Sequence, residues 1–370
     1  MRLTESQQDY ARQLEDACRR LGAEAEPDTH QSEAASRHLA ERGLLGPSLP
    51  AEYGGGGRTF VEDCILLEKT QAHGVPLTAY STALTAAQTY LKYGNDAQRR
   101  TAVTAIRAGR VESIAYSEPD AGSDLARVTT RAVRDGDEWV IDGRKTWISF
   151  AHIADHMLVL ARTDDSGDYH AGMTFIMVPT DLPGIEIREI KTMAPRMPND
   201  VWFRGVRVPV ANTVGVEGEA WNHLRRGLAV ERLIIGAMTV GGAQRALDDL
   251  IAWVTNRVQF GRPLSKLQAV RHRIADLAAQ IDVVRAYVYD IADRIDQGLE
   301  DELNGQASIA KLTGSEIYKK AALEAVQLMG GYGYSSEWGM EQQLRTAIAP
   351  TIYGGSNEVQ RDIIAKSIGL

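Results

Sequence analysis

The spacing of apolar residues changes twice along this chain, near residues 112 and 216. Those two changes limit the fold more than any other feature. Up to about residue 112 the apolar residues recur at helical spacing. Thr4 is a candidate cap for the first helix, and a second runs from His30 to Arg42 and ends at Gly43. Thr59–Gln71, Pro76–Tyr93 and Asn95–Ala108 complete a helical layer. From Val111 to Val216 the period is two. Strands are predicted at Arg127–Arg134, Glu138–Ile141, Met157–Thr163, Met173–Val178 and Ile185–Ile190. Turn signals lie between them at Asp135-Gly136-Asp137, Asp142-Gly143, Ser166-Gly167-Asp168 and Pro183-Gly184. From Glu217 onward the pattern is helical again, over 219–257, 265–297, 301–329, 338–347 and 357–368. The expected fold is α+β. It has an N-terminal helical domain at 1–112, a middle antiparallel β domain at 113–216, and a C-terminal bundle of four-helix type at 217–370.

A chain of 370 residues exceeds one ordinary core, in keeping with several domains. It is 44% hydrophobic and 24% charged, the balance of an ordered globular protein. A net charge of −8 argues against nucleic acid as main partner. No apolar run reaches the roughly 20 residues of a membrane span. The first segment is a charged amphipathic helix without a signal-peptide core. Cys18 and Cys64 form no paired motif. Together these features lead to the expectation of a cytoplasmic protein without a thiolate metal cluster.

In the long segment 219–257, Leu224, Leu228, Ile235 and Met238 make one apolar stripe, and Glu231 falls in its middle. An unpaired carboxylate costs several kcal/mol to bury, on the order of 2–7 for a polar group alone. Glu231 is therefore paired with a neighbour such as Arg232, or protonated, or placed there for chemistry. Incomplete pairing would raise its pKa and suit a general base. Gly236, Ala237, Gly241, Gly242 and Ala243 on the same segment would admit a second helix at close range.

Ser117-Glu118-Pro119-Asp120-Ala121-Gly122-Ser123-Asp124 leads into the β segment, and Gly143-Arg144-Lys145-Thr146-Trp147-Ile148-Ser149 follows. Farther on come Glu231-Arg232-Leu233, Arg257 with Phe260-Gly261, Gln268, Gln327 with Gly330-Gly331, and Ile352-Tyr353-Gly354-Gly355-Ser356-Asn357-Glu358. In this order and spacing, and over nearly the whole chain, they resemble the acyl-CoA dehydrogenase family. The resemblance implies FAD. It places Tyr116, Ser117, Gly122, Ser123, Trp147, Ile148 and Ser149 around the flavin ring, with Ser123 also meeting the CoA ester. Taken alone, Trp147 reads more readily as a core aromatic in a strand. The resemblance sets Arg257, Phe260, Gln268, Gln327, Gly330 and Gly331 against the FAD of a neighbouring subunit. It therefore implies a homo-oligomer, dimer or tetramer, with FAD at the interface. Arg257 can fork onto pyrophosphate oxygens. Ser356 and Glu358 open the last helix, where Ser356 is a good N-cap and the helix start suits a phosphate.

The reaction implied is α,β-dehydrogenation of an acyl thioester, with electrons passed to an electron-transfer flavoprotein. Many members carry the base where this chain has Gly354. A smaller group, of isovaleryl-CoA and long-chain type, carries it on the bundle helix, at the position of Glu231. Two lines of reasoning thus meet on Glu231. Arg232, Gly355 and Lys366 are expected on the substrate. Ala229, Thr346 and Arg196–Asp200 depart from the family pattern, and no consequence follows from residue type alone. Two further readings keep the fold: the same chemistry on an acyl-carrier-protein thioester, and a flavin monooxygenase or oxidase. His152 and His156 lack the glutamate and helix of a zinc pair. Gly54–Gly57 lacks the Lys-Ser/Thr of a phosphate loop, and Gly331-x-Gly333 follows a helix rather than a strand.

Overall fold

The computed structural model describes residues 3–26, 29–164, 169–193 and 197–370, without the side chains of 225–228. The turn at Ser166–Asp168, Arg196 and the Leu228 side chain therefore lie outside the described residues. The helices α1 (Glu5–Ala23), α2 (Glu33–Glu41), α3 (Phe60–Ala72), α4 (Ala79–Tyr93) and α5 (Asp96–Arg107) come first. The strands β1 (Val111–Ala115), β2 (Arg131–Asp135), β3 (Glu138–Ser149), β4 (Ala154–Arg162), β5 (Met173–Pro179), β6 (Ile185–Glu189), β7 (Pro198–Pro209) and β8 (Thr213–Val214) follow. Then come α6 (Ala220–Asn256), a hairpin of β9 (Val258–Gln259) and β10 (Arg262–Pro263), α7 (Gln268–Asp296), α8 (Asn304–Met329), α9 (Gly331–Tyr334), α10 (Met340–Ile348) and α11 (Asn357–Ser367).

Helix starts follow side-chain chemistry. Thr4, Thr59 and Asn95 form capping boxes with Gln7, Glu62 and Gln98, each satisfying amides that a helix start leaves without partners. The Ser356 side chain accepts from Val359 N.

The chain divides into two compact units. One comprises residues 30–58 and 77–228, the other 1–29, 59–76 and 229–370, so the division falls within α6. In the first unit the sheet order is β6-β7-β3-β2-β4-β5-β8, and β1 pairs with β4. Most pairings are antiparallel as expected, but β1 and β2 each meet β4 in parallel. The chain between β1 and β4 includes two other strands, long enough for the crossover that a parallel pair needs. Trp139, Ile141, Ile148, Met157, Val159, Ile176, Val201, Phe203, Val206 and Val208 form the core of this unit. Large apolar side chains of this kind contribute about 1.5–3 kcal/mol each when fully buried.

Two features of this sheet differ from the sequence expectation. Asp142-Gly143, read as a turn, lies inside β3. A Cβ on Gly143 would fall 2.4 Å from Thr130 Oγ1, so glycine serves close approach here rather than a reversal. The strand β7 escaped notice because its inward residues change parity at Gly205, from Val201 and Phe203 to Val206 and Val208. Its register against β3 slips between Ile141 and Gly143 at the same place.

In the second unit α6 packs through its small residues. A Cβ on Gly241 would fall 2.2 Å from Glu68 O of α3, and one on Gly242 2.6 Å from the Tyr318 ring of α8. Asp296 of α7 accepts from Phe60 N at 2.7 Å and Val61 N at 3.2 Å, closing the start of α3. Cys18 and Cys64 are buried free thiols, and burial pushes the Cys18 thiol up to about 12.

Candidate active site

The two motifs read as flavin-binding come together in the sheet unit. Glu118 N and O both pair with Ala121, making the tight turn that carries Pro119-Asp120. The Glu118 carboxylate accepts from Thr129 N at 2.7 Å, Thr130 N at 2.9 Å and Lys145 Nζ at 2.7 Å. Lys145 also donates to Tyr116 O at 2.9 Å, and Thr146 N donates to Ser117 O at 2.9 Å. The segment Tyr116–Ser123 is thus stitched to Lys145-Thr146. Burial pushes the Glu118 carboxyl up, but the Lys145 ammonium and the Thr129 and Thr130 donors outweigh it and hold the group down to about 2. Burial drives the Lys145 ammonium the other way, down to about 8, against the pull of Glu118. The lowered carboxyl is the direction that matters for the pair, because four donors converge on it.

Between Lys145 and Ile148 the β3–β7 register slips again, which releases Thr146 and Trp147 from regular pairing. Trp147 takes φ +63°, and its side chain is 59% exposed, while Ile148 is buried. Trp147 is therefore not a core residue in this chain. Ser117 and Ser149 are partly buried, and Gly122 and Ser123 are exposed. A Cβ on Gly122 or Gly331 would meet no atom within 4 Å, so no contact of the chain demands glycine there. Open backbone, hydroxyls and an uncovered aromatic face fit a flavin ring.

The other residues lie in the bundle unit. The Arg257 guanidinium lies over two rings, 5.1 Å from the Tyr332 centroid and 5.9 Å from that of Trp253. Trp253, Tyr332 and Trp338 pack edge to face or tilted at centroid distances of 5.0–5.3 Å. Arg257 and the Gly330-Gly331 corner are thereby brought together. Phe260 sits at the hairpin tip, 91% exposed at φ +53°. Gln268 opens α7 and Gln327 lies late in α8, both exposed; no described contact joins them to Arg257. Glu358 and Lys366 are exposed on α11.

Glu231 lies on α6 with Leu224, Ile235 and Met238 buried around it on the helix. Glu231 as a whole residue is partly buried. Among the described residues no cation comes within ion-pair distance of it. Arg232, the suspected partner, is 5% exposed and donates instead to Asn304 Oδ1. Burial pushes the Glu231 carboxyl up, opposed by the charges of Arg232 and Lys311. Gly354 stands at φ +63°; a Cβ there would lie 2.2 Å from Ile235 Cδ1 and 3.8 Å from Glu231 Oε1. Ile235 thus fills the space a side chain at 354 would need, beside the Glu231 carboxylate.

Sequence reasoning passed over two groups, Lys145 and Lys311. Both are fully buried lysines, and a lysine in the middle of an otherwise apolar or motif-bound segment was the signal available. His152 and His156 do not share a site: their Nδ1 atoms lie near Asn199 Nδ2 (3.2 Å) and Glu112 Oε1 (3.0 Å) respectively. A groove of about 1010 Å³ in the bundle unit is lined by Glu15, Lys69, His73, Arg245, Asp248 and Arg285. It begins thirteen residues past Glu231 on α6, roughly 20 Å along the helix, and has no part in the site.

The sheet unit carries an open, hydroxyl-bearing aromatic platform that fits a flavin, and the bundle unit carries a partly buried acid. The family models describing the N-terminal, middle and C-terminal domains of acyl-CoA dehydrogenase match residues 4–110, 113–204 and 218–369. A Bacillus subtilis protein named probable acyl-CoA dehydrogenase YngJ is 35% identical over 338 residues, 90% of this chain and 88% of that one. Butyryl-CoA dehydrogenase from Megasphaera elsdenii superposes with a TM-score of 0.92 at 27% identity, over 100% of this chain and 99% of the other. The prolyl acyl carrier protein oxidase AnaB gives 0.92 at 26% identity, over 100% of both. The chain belongs to the acyl-CoA dehydrogenase family. It is an oxidoreductase acting on CH–CH donors, and membership implies a flavin. No described helix is long and apolar enough to cross a membrane.

Proposed function

We propose that this chain dehydrogenates an acyl-CoA thioester between the α and β carbons, giving the trans-2-enoyl-CoA, with Glu231 removing the α-proton and FAD as cofactor. The observation that carries this reading is the Glu231 carboxylate. The residue is partly buried, has no ion-pair partner among the described residues, and sits beside Gly354, the position where the family resemblance puts the base of many relatives. Burial alone favours the neutral acid, while Arg232 and Lys311 favour the anion. A base balanced in this way can take up a proton and give it back. Gly355 N–H meets no acceptor among the described residues, so it is free to donate to the thioester carbonyl as negative charge develops there.

When bound, the flavin supplies at N5 the acceptor for the β-hydride. Ser117, Ser123 and Ser149 would hold its ring by hydrogen bonds, and Trp147 would cover it and keep water out. Arg257, with Phe260, Gln268, Gln327 and the open backbone of Gly330-Gly331, meets the pyrophosphate end of the FAD of a neighbouring copy. Ser356 and Glu358 at the start of α11 complete the cofactor contacts, and Arg232 and Lys366 those to CoA. The electrons leave to an electron-transfer flavoprotein.

A second reading keeps the chemistry and changes the carrier. It is favoured by the match over the whole chain to a protein named as a prolyl acyl carrier protein oxidase. An anaerobic screen of butyryl-, isovaleryl-, octanoyl- and palmitoyl-CoA, set against the same acyl groups on a carrier protein, tests both. Bleaching of the flavin by at least one CoA ester supports the first reading. Bleaching only by carrier-bound groups supports the second.

A further inference from the structure

Lys311, on α8, is 0% exposed. Its ammonium donates to Gly355 O at 2.7 Å and to Asn357 Oδ1 at 3.0 Å. Asn357 is held in turn by Ser315 Oγ at 3.1 Å and donates to Glu316 Oε1 at 2.8 Å. Gln360 Nε2 adds bonds to Gly354 O at 3.1 Å and Gly355 O at 3.0 Å. The Gly354–Gly355 turn, at φ +63° and +76°, is thus pinned by Lys311 and Gln360, and it lies against Glu231 and Ile235.

Both direct acceptors of Lys311 are neutral oxygens. A neutral donor would hold them as well, without the cost of burying a charge. A charge buried here also bears on the ionisable groups around it. Burial drives the Lys311 ammonium down to about 8; the charge of Glu231 opposes this most, Arg232 adds to it, and Glu358 and Glu316 oppose it less. Among the described residues, the charged groups around the pair are Arg232 on α6, Glu316 on α8, and Glu358 and Arg361 on α11. Arg361 is engaged with Glu358 at 3.3 Å. Among the described residues, Arg232 and Lys311 are the charges that bear on Glu231, and Arg232 is turned to Asn304.

We infer that Lys311 is a positioning residue for proton removal: its ammonium fixes the Gly354–Gly355 turn beside Glu231 and sets a positive charge behind that turn, favouring the anion of the carboxylate. This rests on the reading of Glu231 as the base. Without the Lys311 charge, the effect of burial on Glu231 is less opposed. Its carboxyl then holds its proton to higher pH, and the base is lost at pH values where the native protein is active.

The test uses purified FAD-loaded protein and the CoA ester that bleaches the native enzyme fastest. Anaerobic bleaching is followed by stopped flow from pH 5.5 to 9 in native, Lys311→Met and Lys311→Arg proteins. Lys311→Met is expected to move the acid limb up by about one pH unit, roughly a tenfold loss of rate below the limb. Lys311→Arg is expected to leave the limb in place. A Lys311→Met limb at the native pH, with only a lower thermal midpoint or a uniform loss of rate, overturns the inference. If Lys311→Met does not fold, a displaced limb in Lys311→Arg does so. An equilibrium readout separates this from failure of the base assignment: infrared titration of the Glu231 carboxyl band, taken as the difference from Glu231→Gln. If Glu231→Gln bleaches normally the base assignment falls, yet the midpoint of that band still tests whether Lys311 favours the Glu231 anion.

Discussion

Lys145 Nζ lies 2.7 Å from Glu118 Oε1, with the two side chains 0% and 4% exposed. This contact joins the segment before β2 to the irregular end of β3, the two stretches that present Ser117, Ser123, Trp147 and Ser149. Removing one member strands the other as a buried charge, at a cost of about 3–5 kcal/mol. Glu118→Gln is therefore expected to lower the thermal midpoint at pH 7 markedly and to weaken flavin retention, measured by absorbance after dialysis. The Glu118 carboxyl is held down to about 2 against an ordinary 4.5. Its stabilising contribution is complete above pH 4.5 and is lost as pH falls toward 2. The gap between native and variant midpoints should narrow over that window.

The close approach of Ile235 to Gly354 predicts that the base cannot simply be moved back. Gly354→Ala places a side chain at positive φ and should cost about 1–3 kcal/mol, read from chemical unfolding. Gly354→Glu added to Glu231→Gln should leave bleaching at least about a hundredfold below native, the scale of a lost general base. Adding Ile235→Ala, which opens the space, should recover part of it. Full recovery without the Ile235 change would show that this residue does not block the site.

Arg257 over Tyr332 and Trp253 predicts a cofactor phenotype without a chemical one. Arg257→Ala should weaken FAD binding about tenfold, close to 1.4 kcal/mol, and should reduce its salt dependence. Tyr332→Ala should act in the same direction by less, since the ring only steadies the guanidinium. Unchanged retention of FAD in both would remove Arg257 from the cofactor site.

Gly143 predicts a local packing failure. A Cβ there meets the Thr130 side chain and, at 2.7 Å, its Cα, which cannot swing away. Gly143→Ala should destabilise by about 1–3 kcal/mol, as overpacking does, seen in the thermal midpoint.

The helices were legible because their caps and periods agree: Thr4, Thr59, Asn95 and Ser356 each begin the helix that the pattern implied. The long α6 was legible end to end, and its glycines foretold the close approach of α3 and α8. Strands were harder. Alternation fails wherever a register slip changes parity, which hid β7 and made Asp142-Gly143 look like a turn. In the site, Glu231 stood out as a carboxylate on an apolar stripe. Its freedom from Arg232 did not, because adjacency in sequence says nothing about where a guanidinium turns. The contacts of Lys145 and Lys311 were illegible for a related reason: each donates to a partner 27 or 46 residues away.

The most direct measurement is the single-turnover rate of anaerobic flavin bleaching in Glu231→Gln, with FAD content and thermal midpoint checked on the same preparation. The variant should bind FAD and fold as the native protein does, yet bleach slower by about a hundredfold or more. Bleaching at the native rate by a fully loaded Glu231→Gln protein would contradict the account, because some other group would then be taking the α-proton.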